Sequence, residues 1–86
     1  MTYPIAHLNG TSLRELIIQR QEVVMALINA LDAMKTAGPH PRDYYHTPES
    51  RFTAAQEVHQ MRLEAVDNLI QSFELELEGL YKQESK

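Results

Sequence analysis

The chain contains no cysteine, so disulfides and thiolate metal sites are excluded and no redox compartment is implied. Glycine and proline are few, three and four among 86 residues, and all but Gly79 and Pro48, the first residue of the second segment, lie outside the two long segments described below. Basic residues are scarce as well. Eight Lys and Arg against twelve Asp and Glu leave a formal net charge of −4. That balance disfavours broad binding to a phosphate backbone, which needs several cations on one face. No apolar run approaches the roughly 18 residues that a membrane span requires. Residues 1–7 lack the basic and apolar regions of a secretory signal, which makes the cytoplasm the expected compartment.

Two long amphipathic segments, 13–36 and 48–83, fill most of the chain. Leu13, Leu16, Ile17, Val24, Leu27, Ile28, Leu31 and Met34 recur at steps of three and four, which marks one buried helical stripe. Val23, Ala26, Ala30 and Ala33 widen it. Ser12 with Glu15 three residues on is a capping box at the start of this helix. Ala37-Gly38-Pro39 is a stop, with Gly38 available for a left-handed residue after the last turn. The second segment opens at Thr47-Pro48, an N-cap followed by proline at the first helical position. Thr53 and Gln56 offer an alternative start one turn later. Phe52, Ala55, Val58, Leu63, Val66, Leu69, Ile70, Phe73, Leu77 and Leu80 form its stripe. Residues 1–11, with Pro4 and Gly10, read as an extended arm, and 84–86 as a frayed tail.

The expected fold is therefore all-α, a single domain built as an antiparallel two-helix hairpin. A chain this short buries only about 60–65% of its unfolded surface, and a lone hairpin encloses little core. It is expected to dimerise into a four-helix bundle with knobs-into-holes packing. A closed two-fold homodimer is the commonest solution; a higher assembly, or completion by a different protein, is the alternative. Ile17, Arg20, Val24, Leu27, Leu31, Val66, Leu69 and Phe73 are the expected oligomer interface. Reflecting the hairpin about its loop puts Arg20 opposite Val66 and Arg62 opposite Val24. Either arginine would snorkel over the core or pair with a carboxylate across the interface. The longer second helix should overhang, with the arm as its cover. The acidic run Glu64, Asp67, Glu74, Glu76 and Glu78 reads first as a solvated face.

The loop 37–47 is the candidate functional element. His40, Arg42, Asp43, Tyr44, Tyr45 and His46 follow two prolines, and Tyr and Arg are the residue types that anchor interfaces. The competing reading is that a tyrosine seals the end of the bundle. His40 and His46, with Glu57 or His59, form no recognised metal-ligand spacing, so no metal and no cofactor are expected. Ser12 and Ser50 are committed to helix starts and no nucleophile has a base and an orienting group, so no enzyme activity is expected. A nucleic-acid clamp using Tyr44, Tyr45, Arg42, Arg51 and Lys35 is a secondary possibility.

The junction His7-Leu8-Asn9-Gly10-Thr11-Ser12 and the loop Arg42-Asp43-Tyr44-Tyr45-His46 together resemble a group of small, uncharacterised helical proteins carried by phages and prophages of proteobacteria. The resemblance covers nearly the whole chain and implies an origin, with a bacterial host cell as the setting, but no biochemistry. It raises the loop from a connector to a candidate interaction surface. The expected function is thus a non-enzymatic interaction protein, a phage-type accessory factor binding a protein partner through the loop or a helix face. The alternatives are a nucleic-acid-associated regulator and a purely structural oligomerisation module.

Overall fold

The computed structural model describes residues 12–46 and 48–85. Among them the order is helix α1 (Leu13–Thr36), a short 3-10 turn (Pro41–Tyr44) and helix α2 (Glu49–Glu84), with no strand. The fold is the all-α antiparallel hairpin that the two hydrophobic stripes predict. The arm, the Thr47 cap and Lys86 lie outside the described residues.

Helix α1 starts where the cap is predicted. The Glu15 N–H donates to Ser12 Oγ at 3.1 Å, satisfying one of the orphan donors of the first turn. Its end differs from expectation. Ala37 closes the helix in a non-left-handed conformation, its N–H shared between the carbonyls of Ala33 and Met34, and no described glycine has a positive φ. Gly38 has another purpose: a Cβ there would stand 2.9 Å from His59 Nε2. The residue is small so that the imidazole of α2 can lie against the backbone as the chain leaves α1. Helix α2 runs one residue later than predicted at each end, and the Thr53–Gln56 start is not used.

The larger correction concerns register. Arg20 does not face Val66; its Nε donates to Glu76 Oε1 at 3.0 Å in a half-buried pair, and Nη1 also donates to Gln19 Oε1 at 2.8 Å. Arg62 correspondingly does not face Val24, since His59 already stands level with Gly38. Arg14 reaches Glu84 at 3.3 Å, and the Gln21 amide donates to the Tyr81 hydroxyl at 2.9 Å. The Arg20, Gly38 and Arg14 contacts place α2 ten to twelve residues further along than a symmetric hairpin would, and the Gln21–Tyr81 bond reaches further still. The reason lies in the loop, which does not reverse tightly but folds back along α2. With 24 residues in α1 and 36 in α2, the extra twelve residues extend about 18 Å. They project at the loop end, not at the arm end as expected.

The core is correspondingly uneven. Leu16, Ile17, Leu77 and Leu80 form one buried cluster, with Leu13 and Val24 packed against it. Ile17 is 1% exposed and Leu80 0%. Burying such a side chain contributes about 1.5–3 kcal/mol each. Ile70 is the only other large apolar side chain that is fully buried among the described residues. No residue of α2 before it reaches that state. No helix among the described residues is long and apolar enough to cross a membrane.

Candidate functional site at the hairpin tip

Two prolines shape the tip. His40 precedes Pro41, and the clash of a proline ring with the preceding residue drives that residue to extended backbone; it has φ −118° and ψ 139°. Pro41 then supplies a pre-set helical φ at the first position of the 3-10 turn. The turn is closed by the Asp43 N–H donating to the His40 carbonyl at 3.0 Å. The Arg42 N–H donates to His40 Nδ1 at 3.1 Å, so histidine acts here as the cap. A neutral imidazole accepting at Nδ1 carries its proton on Nε2. Arg42 and Asp43 stand exposed.

The tyrosine pair is divided. Tyr44 is half-buried and packs on Phe52 of α2, ring centroids 5.5 Å apart and tilted by 52°. That contact fastens the tip to the overhanging turns of α2. Tyr45 points away and is 81% exposed, its ring edge-on to His46 at 4.7 Å. The loop's two aromatic residues thus have opposite surroundings although they are adjacent in sequence.

Between the tip and α2 runs an open groove of about 480 Å³. Pro39, Asp43 and Tyr44 form one wall, and Val58, His59 and Arg62 the other. The second wall is absent from the candidate site predicted from the loop alone. The signal for it was the mismatch in segment length, which required part of α2 to extend beyond α1. Among the described residues no charged or polar side chain is fully buried. Nor, among the described residues, does any group of three His, Asp or Glu converge on a point where a metal would sit. The tip offers hydrogen-bond donors, one carboxylate, imidazoles and an exposed aromatic ring.

The residues expected at an oligomer interface separate into three kinds. Ile17 is withdrawn into the chain's own core and offers no surface, and Arg20 is engaged with Glu76. Val24, Leu27, Leu31, Val66 and Phe73 are half-buried between the two helices, so they already serve the hairpin. Leu69 alone is openly exposed, at 46%. No family model, no curated protein and no solved structure matches this chain.

Proposed function

We propose that the chain is a non-enzymatic interaction module that binds a protein partner through its tip. The observation that carries this reading is the division of the tyrosines. Tyr44 is spent on Phe52, whereas Tyr45 is 81% exposed beside Arg42 and His46, which are also open to solvent. A large exposed ring on a turn stiffened by Pro39 and Pro41 loses little conformational freedom on binding, which is why such residues dominate interface energetics. The outline shared with small phage and prophage proteins supports an accessory role in an infected or lysogenic bacterium.

A photo-crosslinking amino acid in place of Tyr45 tests the assignment in host cells. One discrete adduct is expected, lost when Arg42→Ala is added and absent when the crosslinker replaces Leu75. Adducts of equal yield from both positions would sink the tip assignment. Recovery of nucleic acid that is released steeply by salt would replace it with the clamp reading.

A further inference from the structure

The hairpin has two flanks, and they differ in chemistry. One carries Leu31, Lys35, Leu63, Glu64 and Asp67, a mixture of apolar and charged residues. On the other, α2 sets out Val58, Arg62, Ala65, Leu69, Ser72 and Glu76 at steps of four and three, a single stripe. Along α1, Val23, Ala26, Ala30 and Ala33 do the same, continuing to Ala37. Ala37 lines one groove together with Val58 and Arg62, so both stripes lie on one side of the molecule. Val23 is 37%, Val58 44% and Leu69 46% exposed, and Ala26, Ala30, Ala33 and Ala65 are exposed as well. The stripes hold two charged residues in all. Glu76 is held by Arg20, whereas Arg62 is exposed and forms no ion pair among the described residues.

We infer that this flank is the surface through which two copies of the chain associate, antiparallel, about a two-fold axis at the level of Leu69. Three observations select a second copy as the occupant. The first is symmetry of charge: Arg62 and Glu76 stand equally far from Leu69 on either side, so the axis brings each Arg62 to the partner's Glu76. The second is agreement between the helices. Counting ten residues from the approach of His59 to Gly38, Leu69 stands level with Ile28. The same axis then sets Ala26 against the partner's Ala30, Val23 against the partner's Ala33, and Leu69 against the partner's Leu69. Small residues meet on α1, where two helices must come close. The third is area. A compact monomer of 9.9 kDa exposes about 5,200 Å², against 6645 Å² for this 62 × 20 × 20 Å rod. The excess, about 1,400 Å², is above the roughly 800 Å² that each partner gives to a standard interface. In the resulting four-helix bundle every neighbouring pair is antiparallel. The two tips lie at opposite ends; Val58 and Arg62 are shared with the tip groove, but Tyr45, Arg42 and His46, on which the tip reading rests, are not part of this flank.

The absence of cysteine makes the test clean. Leu69→Cys, oxidised at low protein concentration, should form a covalent dimer far faster than Leu75→Cys, which is equally apolar and 56% exposed on another face. Light scattering of the unmodified chain should give twice 9.9 kDa, and Leu69→Glu should give half that mass with helicity retained. Arg62→Glu, which sets two carboxylates together, should raise the dimer Kd at least tenfold. A monomer at every concentration, leaving the flank for a foreign helix, would overturn the inference. So would equal crosslinking through both cysteines, or a Leu69→Glu protein that stays dimeric.

Discussion

The two ends of the hairpin are built from the same helices and held in different ways. Where Arg14 and Glu84 meet, Leu16, Ile17, Leu77 and Leu80 interlock and are almost wholly removed from solvent. At the tip none of the described residues is fully buried: Tyr44 leans on Phe52, His59 lies against Gly38, and the groove between them stays open. Local stability follows the number of buried apolar contacts, and binding surfaces tend to be drawn from the weaker end of that range. The comparison assigns stability to the closed end of the molecule, and the partner contact proposed above falls at the other.

The comparison breaks most plainly at the closed end. Leu80→Ala removes a side chain with 0% exposure and should cost about 3 kcal/mol, within the range of leucine-to-alanine changes in tight cores. Urea denaturation at fixed protein concentration measures it. Tyr44→Ala should cost less, about 1–2 kcal/mol, from the lost ring pair and partial burial. Its cost equalling that of Leu80→Ala would mean the tip is packed as firmly as the core. Gly38→Ala sharpens the picture further. The methyl group meets the imidazole of His59 at 2.9 Å, yet the backbone there is open to any residue. In a His59→Ala background the same change should become stabilising by about 0.5 kcal/mol, because alanine restricts the unfolded chain. A double-mutant cycle reads the coupling directly, and additivity would remove the close approach from the account. The smallest effect belongs to Tyr45→Ala, within about 0.5 kcal/mol of zero by thermal melting, as for other surface positions, because its ring meets only the equally exposed His46.

Much of the fold was legible in the chain. The stripe from Leu13 to Met34, the Ser12 cap and the Ala37-Gly38-Pro39 stop define α1 to the residue, because local chemistry sets helix ends. The register was not legible. Hydrophobic periodicity states which face is buried but not which residue lies opposite, and a loop that folds back shifts the pairing without altering either stripe. Hence Arg20 met Glu76 where reflection gave Val66, and the overhang appeared at the tip. Gly38 was recognised as a special position for the wrong reason: the requirement is set by His59, 21 positions further along, beyond any local signal. The site was half legible. The loop residues were identifiable from composition, but the two tyrosines are equivalent in sequence and are separated only by the position of Phe52.

Amide hydrogen exchange followed residue by residue tests the contrast between the ends most directly. The account predicts the slowest exchange in α1 from Leu16 to Val24 and in α2 from Ile70 to Leu77. Within α2 it predicts the fastest exchange over the overhanging turns from Glu49 to Val58. Equal protection along the whole of α2, or greatest protection beside the tip, would contradict it.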